Sequence, residues 1–574
     1  MSQQGTERIT LSVGVTAHRD LLASEVPGIE QCVREFFSSL QGAYPDLPLQ
    51  LLSPLAEGGD QLAARVAVSM GIPFVAVLPM SQPEYEQDFG DGDRLQEFRE
   101  LLAQAESTIV LPPVDQSTQS RPVEDERILQ YAQLGVFISD HSHVLLALWD
   151  GKPGDQMAGT GSVVRYHLTA VMEGFEGDPT PGGLLTDNEN DLVHHIVCSR
   201  DRLAGMPEDG LKPLQTSWFT SRRQAQRGDD IPEAYKILLE RLQRFVRDWK
   251  SKQDIVKNNS SSLLNDAPEL DLPDGARLTD GLFRGADGLA VHYQRRVQSS
   301  LRAIHMLAVL MGLVFLVYSE FDGPGYMVLA FLGLFFAGVA VHVVGGTREW
   351  HRKYLDYRAL AEGLRVQLYW NLSGVVEKEW AGFAYDNFLL KQDVDLGWIR
   401  HVMRQASMHR KRGVSPDERW LPWVIEQWIG QRSDGSGQLA YYSRKEIMNA
   451  SRFRRTQLLG TMCLWFGIGI ALLLFLTHSI STDDQRNSLL VLMGVLPLIA
   501  GIWDAYSHKK AEKELIKQYG FMGRIFTKAR CLVDKTPEPA FQRGVLKALG
   551  QAAMDEGAEW LLMHRERPLE HGRL

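Results

Sequence analysis

AIHMLAVLMGLVFLVYS, from Ala303 to Ser319, and MVLAFLGLFFAGVAVHVV, from Met327 to Val344, each run without a formally charged side chain. At about 1.5 Å of rise per residue each helix reaches roughly 25 Å, just short of a ~30 Å hydrocarbon core, and tilt or snorkelling flanks absorb the difference. Adjacent uncharged runs that lack a polar face are out of place in water. Both therefore read as membrane spans rather than as a buried helical hairpin.

The unit recurs. HYQRRVQSSLR, from His292, leads into the first hairpin, and SRFRRTQ, from Ser451, leads into a second. Setting Arg295 and Arg296 against Arg454 and Arg455 also brings Gln298 onto Gln457. The apolar runs then superpose, with spans expected at 301–319, 327–345, 458–478 and 488–504. Pro497 is tolerable inside such a span. A charged helix follows each hairpin, TREWHRKYLDYRALAEGLRVQLYW from Thr347 and SHKKAEKELIKQYGFMGRIFTKAR from Ser507. The flanks are basic, and the connecting turns SEFDGPGY and SISTDDQRNS are acidic or near neutral. By the positive-inside rule both hairpins enter and leave on the cytoplasmic side, which predicts cytoplasmic N- and C-termini.

Composition limits the rest. A mean hydropathy of -0.18 is too polar for a protein built wholly in lipid, so most of the 574 residues should be aqueous. The net charge of -10 argues against a nucleic acid duplex as the main partner, since phosphate backbones want a basic face. Cys32, Cys198, Cys463 and Cys531 form no CxxC pair, which suggests neither a disulfide framework nor a zinc site. MSQQGTERIT has no apolar core, so no cleaved signal peptide is expected.

Residues 1–200 alternate apolar strands with helical stretches. Strands are expected from Thr10, over LQLLSPLA, at Ile72 to Leu78, around Ser107 to Leu111, at His143 to Trp149 and over HHIVCS from His194. Continuous apolar strands between helices predict an α/β Rossmann-like domain with a doubly wound, mostly parallel sheet. Ligands in such sheets collect at the carboxyl ends of the strands, and the unusual residues concentrate there. The first strand delivers Gly14, Thr16, His18, Arg19 and Asp20; the second delivers Glu57, Gly58, Gly59 and Asp60, with Asp60 in the position of a helix cap. Asp150 and Gly151 follow the later strand, and Gly159, Thr160, Gly161 and Ser162 open a helix whose bare N–H groups suit phosphate.

VGVTAHRD, then EGGD opening a helix, then WDG followed by AGTG, resembles the SLOG family, a Rossmann-like group of nucleotide sensors, DNA-processing proteins and phosphoribohydrolases. The resemblance implies a pocket for a nucleotide-derived ligand, such as an ADP-ribose derivative or a cyclic nucleotide, and no other cofactor. Gly14, Thr16 and Arg19 would line one side, Glu57, Gly58 and Asp60 another, Gly159 to Gly161 would hold phosphate, and Asp150 would take a ribose hydroxyl. The chain departs from the PGGxGTxxE pattern of the hydrolases: MAGTGSVVRY has no carboxylate at the expected spacing. That favours sensing over catalysis, although Glu57 or Asp60 could be recruited. His141, His143, His194 and His195 are spaced poorly for a metal and are expected at the surface or a strand edge.

The duplicated hairpins resemble the SLATT family, two-span effector units that accompany SLOG sensors, most recognisably in EWHRKYLDYRALAEGLR with Trp350, Tyr357, Arg358 and Glu362. That resemblance implies a pore-forming effector of bacterial antiphage defence in the inner membrane, acting as a homo-oligomer in contact with the lipid bilayer. A membrane-anchored nucleotide hydrolase and a constitutive channel or transporter are the alternatives. The spans are rich in glycine (Gly312, Gly333, Gly338, Gly467, Gly469, Gly494, Gly501) and carry no mid-span charge, so a pore should form between subunits, with Asp504 and His342 near its cytoplasmic mouth.

The expected organisation is a ligand-binding domain at 1–200, a helix and polar linker at 201–280, repeats at 281–370 and 451–574, and an insert at 371–450. The insert's Trp380, Trp398, Trp420, Trp423 and Trp428 should pack as a small core of their own.

Overall fold

Near-continuous apolar runs such as LLALW and FVAVL can only be satisfied by burial on both faces, and they form the centre of a sheet. The elements follow as β1 (Leu11–Ala17), α1 (Val26–Ala43), β2 (Leu49–Ser53), α2 (Gly59–Ser69), β3 (Phe74–Leu78), α3 (Gln82–Tyr85), α4 (Asp93–Gln104), β4 (Ser107–Val110), α5 (Val123–His141), β5 (Val144–Trp149), α6 (Thr160–Thr169), β6 (Val193–Val197) and β7 (Thr216–Phe219). This computed structural model describes residues 9–565 apart from 91, 115–122, 155–156, 173–190, 222–226, 274, 322–323, 376–395, 409–416, 432–434 and 478–481.

The sheet runs β4-β3-β2-β1-β5-β6-β7, and only β7 is antiparallel to its neighbour. After β4 the chain crosses back to the far side of β1, so the order reverses between β1 and β5. Helices diverge there, and the crevice that opens at the strand ends is where such sheets place ligands. β7 extends this unit past position 200. α1 turns Ile29, Val33, Phe36, Phe37 and Leu40 onto the sheet, the spacing of one helical face.

The rest is helical: α7 (Glu233–Ser251), α8 (Gln253–Asn259), α9 (Ala276–Glu320), α10 (Tyr326–Thr347), α11 (Trp350–Ser373), α12 (Gly397–Met408), α13 (Trp420–Val424), α14 (Gly437–Thr477), α15 (Asp483–Lys509), α16 (Glu512–Lys535) and α17 (Pro539–Arg565). Among the described residues, four helical stretches are long and apolar enough to cross a membrane, and at most 6% of each apolar window is buried within the chain. Phe335, Phe336, Trp465, Phe466 and Phe475 stand exposed on them, which fits lipid and not water.

The internal duplication is visible in the backbone. Each hairpin ends on a residue in the left-handed region, Glu349 (φ 53°) and Ala511 (φ 50°), and each is followed by a helix of 24 residues, α11 and α16. The hairpins meet through α9 and α15. A Cβ on Gly312 would stand 2.3 Å from a Leu498 methyl, and one on Gly494 would stand 2.9 Å from Leu316. Bare glycines thus let these spans close on each other. Gly333, Gly338, Gly469 and Gly501 face nothing within 4 Å.

Among the described residues, the insert's indoles pack against elements outside it. Trp398 sits among Phe245 and Tyr357, Trp428 stacks on Tyr369 with ring centroids 5.4 Å apart, and Trp420 and Trp423 donate to the carbonyls of Asp271 and Asp266. These indoles are structural, anchored on helices and loops to either side of the insert. Trp380 lies outside the described residues. The linker is also less polar than its serines and asparagines suggest, because Leu263, Leu264, Leu270 and Leu272 pack against the shared core. An ion cluster joins α7 to α11: Asp248 accepts from Lys252 at 2.7 Å, Lys353 at 2.8 Å and the Tyr357 hydroxyl at 2.9 Å.

Candidate functional site

β1 ends at Ala17, and the chain passes through the buried His18 to the exposed Arg19, whose backbone lies against the first turn of α2. Close approach is possible because α2 opens on glycines. Gly58 has φ 87°, and a Cβ there would be 2.2 Å from the Arg19 carbonyl oxygen; one on Gly59 would be 2.4 Å from the Ala17 Cβ. Gly14 acts on the other side of β1, where a Cβ would be 2.2 Å from the Ser142 hydroxyl. Gly161 lets the loop before α6 fold onto its first turn, since a Cβ there would meet the Gly154 nitrogen at 2.6 Å. These glycines shape the walls and do not themselves face the cavity.

Thr16, Arg19, Asp60 and Thr160 converge on a recess of about 80 Å³ at the carboxyl ends of β1 and β2. Tyr85, and Tyr131, Leu134 and Ile138 of α5, complete it. The recess holds one functional group of a ligand, whose remainder would lie in the open crevice above. Asp60 is not the helix cap expected from its position, which falls to Gly58. It lies inside the first turn of α2, 4% exposed, with Oδ1 lacking a hydrogen-bond partner. Burial pushes its carboxyl well above the usual range, with the Arg19 charge pulling the other way. The Tyr131 hydroxyl is likewise buried and without a partner, whereas Tyr85 donates to the Pro54 carbonyl at 3.1 Å. Arg19 is exposed and lies over the Tyr131 ring, 5.4 Å from its centroid. Among the described residues it forms no ion pair. A cation held on an aromatic face beside orphaned polar oxygens is arranged for a polar, anionic ligand.

Other expected residues lie elsewhere. Glu57 faces out and pairs with Arg94 at 2.7 Å. His18 turns inward, its Nε2 3.1 Å from Asp150 Oδ1, and Asp150 also accepts from the Lys152 N–H at 3.1 Å. Burial raises the Asp150 carboxyl, and the His18 contact and the Lys152 N–H outweigh it, so the group sits below its ordinary range. Asp150 thus ties β5 to β1 under the crevice and does not line the recess. Gly159 is the N-cap of α6, and Ser162 is buried one turn in.

The histidines expected at the surface or a strand edge are buried. His143 accepts the Ser12 N–H at 3.0 Å, His195 Nε2 lies 2.9 Å from the Trp149 carbonyl, and His194 stacks on Phe36. A neutral imidazole that finds a backbone partner behaves as an aromatic core residue. Tyr85 and Tyr131 carry no sequence signal of their own, because their helices, α3 and α5, lie between strands and hold no ligand-binding motif. Leu55, in the left-handed region at φ 53° between the recess-lining Pro54 and Ala56, had no signal either.

A larger cavity of about 550 Å³ lies between α1, α7 and β7. Its arginines are already engaged, Arg247 with Asp46 at 2.6 Å and Arg244 with Glu349, and it is away from the strand ends. The smaller recess is the better site on chemistry. Compared with protein-family models and with the curated proteins, the chain matches none.

Proposed function

We propose that the chain is a ligand-gated membrane effector, in which the α/β domain binds a nucleotide-derived signal and the four-helix region permeabilises a membrane. The observation that carries this reading is the recess itself, where the orphaned Asp60 and Tyr131 oxygens sit beside Arg19 at the point where the sheet reverses. Phosphate or ribose hydroxyls would satisfy them. α5 then leads away from the site: Tyr131 lines the recess, and one end later Asp140 receives an Arg404 hydrogen bond from α12 at 3.1 Å. α12 in turn packs on α11, where Gln367 donates to the Met403 carbonyl at 2.9 Å. α11 continues directly from the first hairpin, so ligand and lipid are linked by packed helices.

The resemblance to SLOG sensors and SLATT effectors supports placing this activity in antiphage defence at the bacterial inner membrane, with a homo-oligomer forming the pore. A signal that prefers the open state tenfold contributes only about 1.4 kcal/mol, so several coupled subunits would sharpen the response.

Asp60 also favours a second reading, nucleotide hydrolysis, since a buried carboxyl with a raised pKa is a competent general acid. Among the recess-lining residues it has no second carboxylate beside it. Incubating the purified full-length chain with NAD, ADP-ribose and cyclic nucleotides, while following melting temperature and products, separates the readings. A raised melting temperature with intact ligand supports the sensor; more than one equivalent of cleaved product supports the hydrolase.

A further inference from the structure

The apolar helices pack as a row. α10 lies on α9, α9 on α15 and α15 on α14, while among the described residues α10 and α14 make no comparable contact with each other. Each repeat supplies one hairpin, α9 with α10 and α14 with α15, so the hairpins join through the first helix of one repeat and the second helix of the other. A two-fold relation between the repeats would bring α14 onto α10 as well and close the bundle. The row stays open, so the contact is head-to-tail and leaves one complementary half free at each end.

Register locates the free halves. Aligning Arg295 and Arg296 with Arg454 and Arg455 makes Ala471 and Phe475 of α14 the counterparts of Gly312 and Leu316 of α9. Aligning the left-handed Glu349 and Ala511 makes Leu332 and Phe336 of α10 the counterparts of Gly494 and Leu498 of α15. Within the chain Gly312 meets Leu498 and Gly494 meets Leu316, a crossed pairing that marks α9 and α15 as antiparallel. The counterparts at the ends of the row are all exposed, Phe475 at 80% and Phe336 at 64%. Ala471 keeps a small side chain where Phe336 would need one opposite it, as Gly312 does for Leu498.

We infer that α10 of one copy of this chain packs against α14 of the next, repeating the α9–α15 contact between protomers, with Phe336 seated on Ala471 and Phe475 beside Leu332. This deepens the homo-oligomer of the proposed function and rests on the helices crossing a membrane; it requires no ligand at the sheet. A second copy is favoured over lipid because the equivalent faces of α9 and α15 are covered by protein, each by the other repeat. Polarity agrees, since α14 leads its hairpin as α9 does and α10 returns as α15 does, so the new pair is antiparallel too. A contact between unlike faces propagates from copy to copy and does not stop at a dimer.

Disulfide cross-linking of the full-length chain in liposomes tests this, without nucleotide, with Cys32, Cys198, Cys463 and Cys531 replaced by alanine and helix content matched to the parent by circular dichroism. Phe336→Cys or Ala471→Cys alone should give no cross-linked dimer on oxidation. The two single variants co-expressed should give a dimer, and both substitutions in one chain should give a ladder that continues beyond it. Phe475→Cys with Leu332→Cys should repeat the pattern one turn away. A ladder from vesicles that stay sealed to every nucleotide supports this contact while the signal-gated reading fails. No ladder from either pair, which leaves lipid as the cover of both faces, or a dimer from a single variant as abundant as from the co-expressed pair, would overturn the assignment.

Discussion

The imidazoles of His143 and His401 stack face to face with centroids 4.1 Å apart, joining the edge of β5 to α12 across 258 positions of sequence. Beside them the Thr10 N–H donates to Gln405 Oε1 at 3.3 Å, and Gln405 donates back to the Thr10 hydroxyl. The sheet and the insert thus share a buried polar seam, and the insert rests on the helix that follows the first apolar hairpin.

Breaking this seam should uncouple binding from response. Gln405→Ala leaves Thr10 and Gln50 to pair with each other at 3.3 Å and should cost about 1 kcal/mol of stability. The expected outcome is unchanged ligand affinity by calorimetry with a weakened ligand-triggered efflux from vesicles. Loss of affinity alongside efflux would point to a role in the site.

The recess predicts an uneven response to substitution. Arg19→Ala should weaken binding of the responsive nucleotide at least tenfold, about 1.4 kcal/mol. Burial drives Asp60 toward its protonated form, so Asp60→Asn should bind within about threefold of the parent and Asp60→Leu should not bind. Titration calorimetry on the three variants checks this.

Acid should loosen the seam before the membrane helices. Burial holds His143 down to about 3 and His401 well below the ordinary value of 6.5. Between the folded and unfolded values the unfolded chain binds more protons, so stability is full above about pH 6.5 and falls as the pH drops. Each such histidine contributes a slope of about 1.4 kcal/mol per pH unit. Melting temperatures from about pH 7.5 to about pH 5 should show the decline, and His401→Phe should flatten it.

Glycines of the spans should divide by what they face. Gly312→Val drives a side chain into Leu498 and should destabilise the contact between hairpins by about 1–3 kcal/mol. Gly333→Ala and Gly338→Ala meet open space and should leave the monomer's melting temperature in detergent unchanged.

Much of this architecture was legible because its signals are long. Uncharged runs such as Met327 to Val344 have few alternatives, and the all-apolar β3 and β5 mark a buried parallel sheet. The site was legible only in part. Thr16, Arg19, Asp60 and Thr160 could be found since strand-end turns announce themselves with small and polar residues. Tyr131 could not, because a tyrosine in an ordinary helix shows its role only when the fold brings α5 beside β1. The buried histidines were misplaced for a related reason: imidazole is polar by composition yet apolar in behaviour once a carbonyl or N–H partners it, and those partners are distant in sequence.

The most direct test of signal-gated permeation is dye efflux from vesicles containing the purified full-length chain, with NAD, ADP-ribose and cyclic nucleotides supplied in turn. The account predicts that the nucleotide which raises the melting temperature also releases dye, and that Arg19→Ala abolishes both effects. Vesicles that stay sealed with a nucleotide demonstrably bound, or that leak equally without one, would contradict it.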